Sequence, residues 1–264
     1  LVPDLPPFYD LPVNDTRSVS GSAVHVHLLP SLVEPEDLRG GVAVMIDVIR
    51  ASTTIVHALA AGAKCVVPCQ EVDEARTKAA EYPPGTYLMG GERGGKRIEG
   101  FDLGNSPAEY TPEVCHEKTI IFTTTNGTRA LIHACQAERV LVGALVNRGA
   151  VCRDLGDWEG PIHLLCAGRQ GAIAIAMEDA LAAGAIVDGL SDSCIPGNDA
   201  ACLVRDAYRT NAKEITVALR QTTAADQLHR IGLGGDIDAA GQIDRFDVVP
   251  VLELASGQIV ARKN

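Results

Sequence analysis

The sequence predicts an α/β fold: a three-layer α/β/α sandwich around a central mixed, largely parallel sheet. Three observations carry this. Continuous apolar runs such as VAVMIDVI have the length of strands covered on both faces. Three times such a run leads into a polar turn and then a helical stretch, the alternation that builds strand–helix–strand units. Near the end, FDVVPVLELASGQIVAR reads as two strands joined at Ser256 and Gly257, a hairpin that makes the sheet mixed.

The elements follow in order. Residues 1–21, LVPDLPPFYDLPVNDTRSVSG, are rich in Pro and polar side chains with no apolar period, so they are expected to form an extended arm. No long linker divides the rest, and residues 22–264 are read as a single domain. AVHVHLL alternates as a strand does. VAVMIDVI ends in the polar RASTT, and IVHALAAGA then has the composition of a helix closed by Gly62, before the short strand KCVVP. The same order recurs twice. KTIIFTTT passes through NGT into the helical RALIHACQA and the strand ERVLVGAL. PIHLLCAG passes through RQG into AIAIAMEDALAAGAIVDGL, predicted as one helix over 172–190. ACLVRDAYRTNAKEITVALR and TTAADQLHRIG are predicted helices, and GGERGGKRIEGFDLGNSP (90–107), with six glycines, is predicted to be a loop.

Composition excludes several function classes. The 264-residue chain carries 34 acidic against 23 basic side chains, a net charge of −11 that repels nucleic acid and anionic membranes. Basic and aromatic residues are not interleaved as in single-strand binders. Eight cysteines show no CxxC pair and lie mostly in apolar runs, so neither a zinc site nor a disulfide frame is expected. There is no basic-then-apolar leader, and the apolar runs are too short to span a membrane; the expectation is a soluble, cytoplasmic protein in a reducing compartment.

Chemistry is expected where strands end and helices begin, because unpaired N–H groups there favour anions. The three turns are well furnished. The first offers Asp47, Arg50, Ser52, Thr53 and Thr54; the second Thr123 to Gly127 and Arg129; the third Gly168 and Arg169, with Glu178 and Asp179 farther on. Ser, Thr and Asn are ordinary helix caps at any single turn, but three such turns of one construction point to a phosphate or sulfonate. Carboxylates beside anion donors call for a cation between them, and Mg²⁺ takes one or two carboxylates while bridging to phosphate oxygens. Asp47, Glu92, Glu178 and Asp179 are the candidate metal ligands, and Asp47 in an apolar strand most needs a partner.

Known phosphate motifs do not match. Gly90 to Lys96 satisfies GxxxxGK, but position 97 is Arg instead of the hydroxyl residue of a P-loop, and RIEGFDLG is a poor helix. No Cys-x5-Arg and no GxSxG occurs, and Asp47 lacks the second Asp two positions on that marks a haloacid-dehalogenase-type phosphatase. The seven histidines show no ligand spacing and receive no role.

Taken together, DVIRASTTIVHALAAGA, GGERGGKRIEGFDLGNSP, TTTNGTRAL, MEDALAAGAIV and LGGDIDAAGQIDRFDVVPV resemble the 2-phosphosulfolactate phosphatase family of coenzyme M biosynthesis, over about residues 42 to 251. The resemblance implies an α/β/α sandwich and Mg²⁺-dependent hydrolysis of (2R)-2-phospho-3-sulfolactate to 3-sulfolactate and phosphate. On that basis Asp47, Glu178 and Asp179 are the expected catalytic residues, and Asp47, Glu92, Glu178 and Asp179 the expected metal ligands. Arg50, Ser52, Thr53, Arg93, Thr124, Asn126, Gly127 and Arg129 are expected to bind substrate. Asp47 either attacks phosphorus, or a carboxylate orients a water. The glycine-rich loop is expected to carry Glu92 and Arg93 over the site. Arg50, Arg93, Lys96, Arg97, Arg129 and Arg169 would supply a locally basic pocket for a small anionic phosphoester. A homo-oligomer, a dimer, is the expected assembly. The alternatives are a non-catalytic anion-binding protein and a dehalogenase-type phosphatase acting on another small phosphoester.

Overall fold

The computed structural model describes residues 22–262; the expected arm, residues 1–21, lies outside them. One eleven-stranded sheet organises the chain. Its strands are β1 (Ser22–His27), β2 (Val42–Ile46), β3 (Cys65–Pro68), β4 (Tyr87–Arg93), β5 (Lys96–Arg97), β6 (Thr119–Thr123), β7 (Arg139–Gly143), β8 (Ile162–Cys166), β9 (Cys194–Pro196), β10 (Val249–Glu253) and β11 (Gln258–Arg262). The order across the sheet is β5-β4-β6-β3-β11-β10-β7-β2-β8-β1-β9. The sheet is mixed and mostly parallel, with helices packed against it: an α/β fold, as the sequence predicts.

The terminal hairpin sits in the middle of this sheet, not at its edge. β10 pairs antiparallel with β7, and β11 pairs antiparallel with β3. Counting the hairpin's own reversal, three inversions separate the parallel set β4, β6 and β3 from the parallel set β7, β2, β8, β1 and β9. The two sets therefore run oppositely. The helix α1 (Ala51–Ala60) follows β2 and is buried over nine of its ten residues. One core cluster joins α1 side chains to Ala43 and Met45 of β2, Val140 and Val142 of β7, Val66 of β3, and Ile120 and Phe122 of β6. Both sets thus wrap α1, and this brings the ends of β2 and β6 together.

Alternate residues of each strand face opposite layers. Val42, Val44 and Ile46 face a second cluster, formed with α5 (Arg148–Leu155), α6 (Met177–Gly189), α7 (Asp199–Asn211), α8 (Ile215–Arg220), α9 (Thr223–Arg230) and α10 (Gly235–Ala240). The α1 side also holds α3 (Pro112–Cys115) and α4 (Gly127–His133). A smaller cluster packs α2 (Val72–Ala79) on Cys65, Val67 and Ile121. Caps fix several starts: the Asn198 side chain accepts the Ala201 N–H at α7, and Thr222 accepts that of Ala225 at α9.

Two expectations are corrected. The glycine-rich segment is no simple loop: its first residues complete β4, and Gly94 and Gly95, with φ of 61° and 82°, turn the chain into β5. Two consecutive positive φ values suit a tight hairpin, and glycine adopts them without a Cβ clash. The helix predicted from 172 begins instead at Met177. Gln170, Gly171 and Ala172 all have positive φ, and the Arg169 and Ala174 backbones exchange hydrogen bonds, so the segment curls back on itself and leaves Ile173 76% exposed. Aliphatic composition favoured a helix there, but the Gly168 and Gly171 N–H groups instead donate to the side chains of Asp179 and Asn126.

Candidate active site

Asp47 directly follows β2 inside the protein, where its Oδ1 accepts the Ala51 N–H at 3.2 Å from the start of α1. The other oxygen, Oδ2, faces Gly127 at the start of α4: a Cβ placed there would stand 2.9 Å from Oδ2 and 2.7 Å from Ala51 Cβ. Only glycine allows this approach. No hydrogen bond from the described residues reaches Oδ2. Burial, reinforced by the neighbouring Glu92 and Glu178 carboxylates, pushes the Asp47 pKa up to about 7 against the pull of the Ala51 N–H and Arg50.

A cavity of about 380 Å³ opens above this carboxylate. Asp47, Arg50, Glu92, Asn105, Thr124 and Asn126 line one side; Arg169, Gln170, Gln227 and Arg230 line another. Thr124 Oγ1 and Asn105 Oδ1 are buried with no protein partner. Native structures rarely leave such atoms unsatisfied, so their presence in a cavity marks where a ligand's polar atoms go.

Arg50 is held from behind. Its guanidinium donates to Asp236 Oδ2 at 2.9 Å and to the Gly95 carbonyl at 2.8 Å, while Ser106 Oγ donates to Asp236 Oδ1 at 2.5 Å. The side chains of Arg50 and Asp236 are each only 4% exposed, so neither charge is tolerable without the other. Sequence reasoning gave Asp236 no role. Its one local signal is position: it shares the buried face of α10 with Ile237 and Ala240, and a carboxylate on such a face calls for a cation.

The other expected residues separate by what they touch. Glu92 lines the cavity, but both its oxygens accept protein donors: Thr125 N–H and Oγ1 at 2.9 Å on Oε1, and Gly95 N–H at 2.7 Å on Oε2. It fastens the β4–β5 turn to the turn after β6. Asp179 accepts the N–H groups of Val48 at 2.8 Å and Gly168 at 3.1 Å, tying the ends of β2 and β8; burial and the Asp47 and Glu178 charges hold its pKa well above the usual range. Glu178 is buried too, and burial raises its pKa while its own N–H and Arg169 oppose the shift. Asn126 Oδ1 accepts the Gly171 N–H at 2.9 Å, which anchors the curl.

Ser52, Thr53, Arg93, Gly127, Arg129, Glu178 and Asp179 do not line the cavity. Ser52 Oγ accepts the Asp47 N–H, and Thr53 Oγ1 donates to the Val48 carbonyl, so both hydroxyls close the β2–α1 turn. Arg93 turns away, donating to the carbonyls of Glu92 and Gln70 and to Thr123 Oγ1. Arg129 is exposed on α4. Ser52, Thr53 and Arg93 are thus engaged by protein partners.

The profile of the family described as 2-phosphosulpholactate phosphatase matches residues 27–254. The chain belongs to that family. Its relatives include proteins named "Probable 2-phosphosulfolactate phosphatase" from Caldanaerobacter subterraneus, 38% identical over 84% of this chain and 91% of the relative, and from Symbiobacterium thermophilum, 38% identical over 85% and 96%. One from Prochlorococcus marinus is 40% identical over 82% and 91%. Family membership makes the chain a phosphoric monoester hydrolase, and the matched span covers every cavity residue named above. None of the described helices is long and apolar enough to cross a membrane.

The donor set can be tested against the magnesium ion that a phosphatase of this kind implies. Among the described residues no group of three or more His, Cys, Asp or Glu side chains is arranged to hold a metal. Glu92 and Asp179 have their oxygens committed to protein donors. Asp47, with Oδ2 free, and Glu178 remain, which suits an ion that takes one or two carboxylates, keeps waters, and takes the rest of its shell from phosphate. Of these two, Asp47 lines the cavity and Glu178 does not, so the donor set meets those terms at their lower end, with one carboxylate.

Proposed function

We propose that the chain hydrolyses the phosphate monoester (2R)-2-phospho-3-sulfolactate to 3-sulfolactate and inorganic phosphate, with Mg²⁺ required. The observation that carries this reading is the free Oδ2 of Asp47 beside the unpartnered Thr124 hydroxyl and the Arg50 guanidinium, at the floor of an open cavity. Arg50, pre-aimed by Asp236, is positioned to hold phosphoryl oxygens, and Thr124 Oγ1 and the Gly127 N–H add donors at the same place. Asp47 and Glu178 would hold the metal, which when bound neutralises phosphoryl charge and lets carboxylates and phosphate share the pocket.

In the reaction the ester P–O bond breaks, a water oxygen becomes bonded to phosphorus, and a water proton ends on the departing alkoxide. Asp47 serves either by attacking phosphorus first, with water then cleaving the aspartyl phosphate, or by directing the water itself. A thiophosphoryl group made chiral with two oxygen isotopes and hydrolysed in water carrying the third separates the routes: two in-line displacements retain configuration and one inverts it. Eight cysteines without a disulfide agree with a cytoplasmic, reducing setting. A two-fold dimer is the assembly we expect, and sedimentation at micromolar concentration checks it.

The deciding experiment is phosphate release from phosphosulfolactate and a panel of small phosphoesters, with Mg²⁺ or EDTA. Mg²⁺-dependent turnover that EDTA abolishes is expected. Turnover that resists EDTA overturns the metal requirement, and saturable binding without release from any ester makes the chain an anion-binding protein.

A further inference from the structure

A second cavity, of about 540 Å³, adjoins the first. The two share Arg50, Gly95, Asn105, Arg230 and Ile231 in their linings. Together they form one groove with a neck. At that neck a Cβ on Gly95 would stand 3.2 Å from Ile231 Cδ1, so the β4–β5 turn and the end of α9 pack at the boundary. The second lobe adds Lys96 and Arg97 to Arg50 and Arg230. Against these four cations stands one carboxylate, Glu109, whose Oε2 is engaged by the Gly104 N–H at 2.9 Å. In a chain of net charge −11 such a concentration of cations needs a reason.

The cations also differ in how they are committed. Arg50 is paired with Asp236; Arg97 donates to the Asp102 carbonyl at 3.3 Å, a neutral acceptor. No ion pair among the described residues involves Lys96, Arg97 or Arg230. All three are exposed, and none is paired with a carboxylate of the described residues. Arg230 lines both lobes and so stands between the phosphoryl floor and the outer cations.

Resting on the phosphatase reading above, we infer that Arg230, with Lys96 and Arg97, forms a second anion subsite that holds the non-phosphate acidic end of the substrate. The sulfonate or carboxylate of phosphosulfolactate would reach this subsite while its phosphoryl group lies on the floor of the first lobe. A phosphoester with a neutral alcohol meets only the Asp47 and Arg50 floor. Because this contact is made to a part of the substrate that does not react, it enters chiefly as binding, so KM moves more than kcat.

The test compares two esters on three proteins: phosphosulfolactate and a neutral-alcohol ester, methyl phosphate, on wild type, Arg230→Ala and the double variant Lys96→Ala, Arg97→Ala. For each variant the loss in kcat/KM on phosphosulfolactate is expected to exceed its loss on methyl phosphate by about tenfold or more, with most of the difference in KM. Equal losses on the two esters overturn the inference, as does no loss on either. If wild type turns over neither ester, the hydrolase reading fails by itself, and calorimetry with phosphosulfolactate decides the subsite. Weaker binding to Arg230→Ala than to wild type supports it; equal binding, or none to wild type, overturns it.

Discussion

At Asp47 the sequence and the structure ask the same question: why an acid is kept at the end of an apolar strand. Removing its charge separates function from stability. Asp47→Asn is expected to lower phosphate release by about a thousandfold or more, since a group at the reacting phosphoryl contributes through charge that an amide lacks. Without metal, the same variant melts no lower than wild type at pH 8, because burial and two neighbouring carboxylates disfavour the ionised form. Lower melting together with full activity would show that Asp47 is only a structural acid. Asp236 behaves oppositely. Asp236→Ala strands the Arg50 guanidinium, 4% exposed, without its partner and should cost about 3–5 kcal/mol in urea unfolding, with loss of activity. Asp236→Asn keeps an acceptor for Arg50 and so should retain more of both.

Between elements, the site depends on how closely the starts of α1 and α4 approach. Gly127→Ala would place its Cβ 2.7 Å from Ala51 Cβ and 2.9 Å from Asp47 Oδ2, so one helix start must shift. We expect activity to fall about a hundredfold, as for a displacement near 1 Å, with the circular dichroism spectrum retained; unchanged kcat/KM would show that the approach is not needed. The three strand-turn-helix units were legible because each is local: an apolar run, polar caps, an apolar helix. The turns that meet at the cavity were legible for the same reason, with Asp47, Arg50, Thr124 and Asn126 all in them. The hairpin at Gly94 and Gly95 was not, since six glycines in 18 residues hide the alternation of a strand. Nor was the curl before Met177, whose aliphatic letters favour a helix while its positive φ values are imposed by contacts to Asn126 and Asp179. Hydroxyls such as Ser52 and Thr53 read the same whether they hold a ligand or their own turn. The roles of Asp236 and Arg230 depend on α9 and α10 folding back onto the β4–β5 hairpin, a meeting of segments more than a hundred residues apart.

Over the whole molecule, two sets of buried groups oppose each other as pH changes. His27, His57 and His163 have pKa values lowered to about 4, chiefly by burial, with nearby histidines adding to the effect at His27 and His163 and Arg245 adding to it at His57. Each binds fewer protons folded than unfolded, so its contribution is present above the usual histidine pKa of about 6.5 and is lost as pH falls toward 4. Asp47, raised to about 7, has the reverse sign: its contribution is present below the usual aspartate pKa and is lost as pH rises through 7. Asp179 and Glu178 are raised as well and share that sign. The metal-free protein is therefore squeezed from both sides, with histidines limiting it in acid and the carboxylates near neutrality. Magnesium held as proposed would act on one side alone, since it would bind the ionised carboxylate and have to displace a proton that Asp47 still holds below pH 7. The rise in melting temperature on adding Mg²⁺ should accordingly grow between pH 6 and pH 8, and Asp47→Asn should remove most of it. Scanning calorimetry at the two pH values, with and without Mg²⁺, checks this. A rise that is independent of pH, or one that survives in Asp47→Asn, would place the ion on other oxygens.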